Sequence, residues 1–179
     1  MLIPGTPAPD LRFDTVRHGV FDVAVDPPPG GTLVSFHRGW HCKWTRRALQ
    51  EFDDRIGDFA LRGIRIVCVS GDGAAAAAQY ADELQLIRLP IGHSADVATI
   101  GAAWRLFMTR ASTEEGAPAL HWEPAQIWVR SDNTIGSVAV QSGPNLWADA
   151  TNMIRAIENT MNKYPERGAG GAGTQGGTT

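Results

Sequence analysis

The run Ile64-Arg65-Ile66-Val67-Cys68-Val69-Ser70, closed by Gly71-Asp72-Gly73, restricts the fold of this chain more than any other segment. A nearly continuous apolar stretch that ends at glycine reads as a central strand of a parallel sheet, buried on both faces. Both faces then need cover, and the flanking sequence supplies it. Upstream, Trp44, Ala48, Leu49, Phe52, Ile56 and Phe59 recur at three-to-four-residue spacing. They predict a helix over 42–62 that lays one stripe on the sheet, leaves Arg46, Arg47, Asp53 and Asp54 in water, and stops at Gly63. Downstream, 74–84 reads as a second helix.

The remaining segments extend the same alternation. Thr32–Phe36 is a short strand after the turn Pro27-Pro28-Pro29-Gly30-Gly31. A loop over 90–94 leads to a short helix over 96–104. Residues 126–130, the turn Ser131-Asp132-Asn133 and residues 134–140 form a hairpin, and the last helix covers 146–164. This order predicts one layered α/β domain over 1–164, with a central mixed β-sheet flanked by helices on both faces. Residues 165–179 are Gly/Thr-rich and are expected to form a disordered tail.

The 179 residues carry 16 Lys and Arg against 19 Asp and Glu, a net charge of -3. No basic excess points to nucleic acid or to an anionic membrane. The start shows no basic segment followed by an apolar one, and no apolar run approaches membrane-spanning length, so a cytoplasmic protein is expected. The two cysteines, Cys42 and Cys68, are too few for a disulfide framework.

Chemistry concentrates in Phe36-His37-Arg38-Gly39-Trp40-His41-Cys42-Lys43-Trp44-Thr45-Arg46-Arg47, where the first strand hands over to the first helix. A cysteine in a first helical turn sits against unsatisfied N–H groups and the positive end of the helix dipole, and both favour thiolate. Arg38, Lys43, Arg46 and Arg47 push the same way. In open α/β sheets, sites gather outside the carboxyl ends of the strands, which is where Cys42 falls. Cys68 lies within the apolar run and reads as a buried structural residue.

The segment resembles the thioredoxin-like superfamily, in particular its peroxiredoxin-like branch (alkyl hydroperoxide reductase/thiol-specific antioxidant, redoxin). Members of that branch carry aromatic-Tyr-Arg-Gly-x-Trp-Cys-Pro-x-Cys before an Arg-rich helix, in the register of Phe36 to Arg47. The likeness extends to Gly5-Thr6-Pro7-Ala8-Pro9-Asp10-Leu11, to Ile66-Val67-Cys68-Val69-Ser70-Gly71-Asp72, and to Pro124-Ala125-Gln126-Ile127-Trp128-Val129. It implies a thioredoxin-like fold and a thiol-dependent oxidoreductase without a cofactor. The substrate would be a small hydroperoxide or other organic molecule, an external thiol would be the reductant, and a homodimer is possible. Cys42 would be the nucleophile, Thr45 a donor to its sulfur, and Arg38 a stabiliser of charge on the leaving oxygen. Pro124 would follow a cis bond opposite Cys42 and bring Glu123, Trp122 and His121 near it. Trp40 and Trp122 would wall an apolar pocket beside His41. Either Arg38 or Arg110 would separate Glu123 from the thiolate.

Two departures narrow this expectation. Gly39 stands where a peroxiredoxin has a threonine three residues before its cysteine, and Thr45 stands where a dithiol motif has its second thiol. Only a one-cysteine reaction remains, with the sulfenic acid of Cys42 reduced from outside. Two other readings stay open. One is a thioredoxin-like module that binds an organic ligand or a protein without catalysis. The other is a copper or zinc carrier similar to the Sco chaperones, built on His37, His41, Cys42 and His121.

Overall fold

The computed structural model describes residues 1–170. Its centre is a five-stranded mixed sheet. The sheet contains β3 (Thr32–Phe36), β4 (Arg65–Val69), β5 (Ile91–Gly92), β8 (Ala125–Val129) and β9 (Ile135–Val140), in the order β5-β4-β3-β8-β9. β3, β4 and β5 run parallel, whereas β8 and β9 are antiparallel to their neighbours. Every residue of β3 and β8 is buried, as central strands require.

Alternation along these strands sorts the core into two layers. Leu33, Ile66, Cys68 and Trp128 point to the side covered by α1 (Lys43–Ala60), α2 (Ala74–Glu83) and α4 (Ala150–Asn162), where they meet Leu49, Phe52, Tyr80 and Ile157. Val34, Phe36, Val67 and Ile127 point to the other side, where Trp104, Leu106 and Trp122 fill the layer. That side is covered by α3 (Val97–Ala103) and by two small hairpins, β1 (Arg12–Asp14) with β2 (Val20–Asp22) and β6 (Met108–Arg110) with β7 (Leu120–Trp122). The expected architecture, a mixed sheet with helices on both faces, is therefore present. Among the described residues no helix is long and apolar enough to cross a membrane.

The differences from expectation are local. The hairpins β1–β2 and β6–β7 and the two-residue β5 carry too few residues to show a period. The last helix begins at Ala150 rather than 146, because Asp149 accepts the Asn152 N–H at 2.8 Å as its N-cap while Pro144–Leu146 forms a separate 3-10 turn. Within α1, Trp44 is 36% exposed and Thr45 takes the inward position. Asp53, expected in water, is buried because its Oδ1 accepts the N–H groups of Arg88 and Leu89 at 2.9 and 2.8 Å. Residues 165–170 of the expected tail are placed as turns, with Gly168 against Pro4, and residues 171–179 lie outside the described part.

Entry into β3 turns on Gly31, at φ +75, beside Trp128, whose Nε1 donates to Gly30 O at 2.8 Å. A Cβ on Gly31 would lie 2.3 Å from Val129 O and 2.7 Å from Trp128 Nε1. Gly31→Ala is therefore expected to lower stability by about 3 kcal/mol through strain and overpacking, read from urea denaturation midpoints.

Candidate active site

β3 ends at Phe36, but His37 N still donates to Val69 O at 3.0 Å, so the strand direction carries one residue further before the chain turns. The turn is made at Gly39, with φ +106, and Trp40 N donates to Asp72 Oδ2 at 2.9 Å. Trp40 is sandwiched, stacked on Tyr80 at 5.2 Å and covered by the Arg46 guanidinium at 3.7 Å. Cys42 then takes the N-cap position of α1 in extended conformation, 4% exposed. Its sulfur accepts no hydrogen bond from the first-turn amides.

The group that does face the sulfur is Arg38, whose Nη1 lies 3.5 Å from Cys42 Sγ. Arg38 is buried, and each of its nitrogens meets a partner. Nε lies 3.1 Å from Glu123 Oε2. Nη1 and Nη2 each lie 2.9 Å from an oxygen of Glu114, a two-pronged pair, and Nη2 is 3.3 Å from His121 Nε2. Glu123, at 5% exposure, is fixed by Thr109 Oγ1, which donates to its Oε1 at 2.5 Å. The ring of His41 packs 4.9 Å from that of His121. Burial alone would weaken the Arg38 charge, but the hydrogen bonds to Glu114 and Cys42 and the Glu123 carboxylate outweigh it and hold its pKa above the usual arginine value.

The histidines go the other way. Burial, with His41 as a smaller contributor, lowers the pKa of His37 to about 3; burial, His121 and Arg38 lower that of His41 to about 4. Both rings are neutral at physiological pH. Asp72, half-buried beside the Gly39 turn, has its pKa raised above the usual carboxylate value by desolvation, against the hydrogen bonds from Trp40 and Ser70.

Of the residues expected at this site, Arg38, Cys42, His41 and Glu123 converge, and His121 joins them. Arg38, not the exposed Arg110, is the cation between Glu123 and the sulfur. Four expectations need correction. Thr45 Oγ1 is buried without a partner and gives no hydrogen bond to Sγ. The Glu123–Pro124 bond is trans, since the described residues contain no cis peptide. Trp122 is fully buried, edge-on to Phe36 at 5.2 Å, and its Nε1 donates to Val97 O. It therefore belongs to the layer beneath the sheet, whereas Trp40 packs on the layer above, so the two cannot wall one pocket. Among the described residues no three His, Cys, Asp or Glu side chains are placed to hold a metal ion, which removes the geometric basis of the carrier reading. Cys68 is sealed in the α1 layer, where burial pushes its thiol pKa far up.

Glu114 was not legible as a site residue, because the loop over 111–119 has neither a period nor a motif. Thr109 likewise sits on an unread three-residue strand.

A mixed sheet of this order, with a cysteine opening the first helix, defines a thioredoxin-like fold of the peroxiredoxin type. Among solved structures, the chain is similar to the peroxidoxin BcpB of Mycobacterium tuberculosis, at 13% identity over 90% of this chain and 97% of that one, with a TM-score of 0.69. It is also similar to a cysteine-to-serine mutant of the peroxiredoxin 6 of Arenicola marina (14% identity, 90% and 74% covered, TM-score 0.74). A third is the yeast mitochondrial 1-Cys peroxiredoxin (10% identity, 90% and 77% covered, TM-score 0.73), described as resolving its thiol via glutathione/thioredoxin systems. No family model and no curated protein matches the sequence.

Two outcomes are expected from this geometry. A Cβ on Gly39 would lie 2.7 Å from Asp72 Oδ1 at a φ that side chains rarely adopt, so Gly39→Thr should cost about 2–3 kcal/mol in urea denaturation rather than install a peroxidase hydroxyl. The second concerns acid. An unfolded chain protonates its histidines near 6.5 while folded His37 and His41 resist until about 3 and about 4, so the unfolded state binds more protons between those limits. The contribution of these rings to stability is complete above about pH 7 and is lost as pH falls through 6.5 toward 4. The urea midpoint should fall over that window, less steeply in His37→Phe.

Proposed function

We propose that this chain is a thiol peroxidase-like oxidoreductase that reduces hydroperoxides at a single cysteine, Cys42, with an external thiol as reductant. The observation that carries the proposal is the buried Arg38 Nη1, 3.5 Å from Cys42 Sγ at the mouth of the helix, in a fold shared with peroxiredoxins. In the first step the Cys42 thiolate attacks the distal oxygen of ROOH. The S–O bond forms as the O–O bond breaks, and RO⁻ leaves and takes up a proton to give ROH. Arg38, fixed by Glu123 and charged throughout, faces the place where negative charge moves from sulfur to the leaving oxygen. An external thiol then attacks the sulfenic acid, releasing water, and a second thiol frees Cys42 and leaves as the disulfide.

Two features favour the one-cysteine form. Thr45 stands in the place of a local second thiol, and Cys68 is sealed in the core. The external reductant is supported by the likeness to the yeast 1-Cys peroxiredoxin, and a reducing, cytoplasmic compartment suits two free thiols. Trp40 and His41, in the turn that leads into Cys42, are proposed to contact substrate; Glu123 is a positioning residue for Arg38.

Reduced protein treated with hydrogen peroxide or cumene hydroperoxide should yield a dimedone adduct at Cys42, seen by mass spectrometry. Cys42→Ser should abolish it and Cys68→Ser should retain it. Arg38→Lys, which keeps the charge but loses the fork, should slow oxidation about tenfold or more. Oxidation of Cys42 no faster than that of a free thiol would overturn the proposal in favour of a non-catalytic binding module.

A further inference from the structure

Around Arg38, one partner differs from the rest in its exposure. The side chains of Arg38, His41, His121 and Glu123 are 2–6% exposed, whereas that of Glu114 is 51% exposed. Glu114 reaches inward from the loop over 111–119, which joins β6 to β7 across the mouth of the site. With Nε facing Glu123, only the two terminal nitrogens of Arg38 remain, and Glu114 holds both at 2.9 Å. One of them, Nη1, is the nitrogen that faces Cys42 Sγ. A molecule that pairs with the Arg38 fork on its way to the sulfur must therefore take the place of this carboxylate.

The loop is built to release it. No residue over 111–119 is buried. Its backbone is closed at the base by Ala111 N donating to Ala119 O at 2.8 Å, and it turns at Gly116 with φ +72. The cost of returning Glu114 to water is small, because the side chain is already half in water. The charge count favours replacement by another anion. The Arg38 guanidinium faces two carboxylates and the Cys42 sulfur, and His41, 3.6 Å from Glu114, stays neutral above pH about 4. An incoming carboxylate leaves that balance unchanged, whereas a neutral molecule leaves the fork of Arg38 without its two-pronged partner.

We propose that the Arg38 fork is a carboxylate-binding site, that Glu114 fills it in the resting protein as a removable latch, and that the molecules Cys42 attacks fastest carry a carboxylate that takes Glu114's place, small neutral hydroperoxides being slower substrates of the same sulfur. The proposal rests on Cys42 being a nucleophile and specifies the substrate class of that same site.

Alkylation of Cys42 tests it without peroxide chemistry. Iodoacetate and iodoacetamide are nearly the same size and differ by one carboxylate. In the reduced full-length chain, Glu114→Gln and Glu114→Ala should raise the iodoacetate rate about tenfold or more, the scale of a charged hydrogen bond, and the iodoacetamide rate distinctly less. Glu115→Gln, one residue along the same loop, should change neither. Unchanged rates in both Glu114 variants would overturn the proposal, and so would equal acceleration by the two reagents, which would make the loop a lid without an anion site. A shift toward iodoacetate in a protein whose Cys42 does not react with hydroperoxides would uphold the carboxylate site while overturning the peroxidase reading.

Discussion

A buried guanidinium is tolerated only when its donors are paired, and Arg38 is the residue on which this site depends. Its partners come from three separate segments: the turn after β3, the loop over 111–119, and the β7–β8 junction at Glu123. Removing the buried partner, Glu123, would cost about 3–5 kcal/mol, far more than a surface ion pair contributes. The cluster therefore fixes the relative positions of segments that carry little regular structure. The β6–β7 hairpin shows this well. It is only three residues a strand, yet Thr109 on β6 orients Glu123, and Glu123 in turn orients the arginine that faces the sulfur.

The same burial decides the charge state of the surroundings. His37 loses its proton to burial, and at His41 burial, His121 and Arg38 outweigh the Glu114 carboxylate 3.6 Å away, whereas Arg38 keeps its charge because Glu114, Glu123 and Cys42 all face it. The site thus sets one fixed cation, Arg38, beside a single sulfur, with the neutral rings of His37 and His41 nearby. Work that a helix N-terminus or a neighbouring hydroxyl could share falls on one guanidinium, since the Cys42 sulfur accepts nothing from the first-turn amides and Thr45 makes no bond to it.

How much of this was legible in the sequence follows from the range of each signal. The apolar run at 64–70, the helical stripe of α1 and the handover from Phe36 to Cys42 are local patterns, so the sheet, its covering helices and the placement of the cysteine could be read directly. Arg38 was in view as a neighbour four residues away. Glu114 was not, because it meets Arg38 across 76 residues from a loop without periodicity. The error over Trp40 and Trp122 has a different origin. Nearness to converging segments does not say which face of the sheet a side chain takes, and a shift of one residue along a strand reverses it. Asp53 shows the converse limit, since a polar residue on an amphipathic helix goes inward when two free N–H groups await it there.

The glycine at position 39 and the placement of Arg38 at the sulfur are physically linked. Arg38 stands four residues before Cys42, and for its guanidinium to come back to the sulfur the backbone must reverse between them. That reversal occurs at Gly39, where φ is +106 and the position of a Cβ is taken by the Asp72 carboxylate. Asp72 is itself committed to the Trp40 N–H, which holds the turn closed. A threonine three residues before the cysteine and an arginine delivered by the same turn are therefore exclusive alternatives in this geometry. In this chain the hydroxyl's place is taken by the glycine whose turn brings Arg38 back to the sulfur.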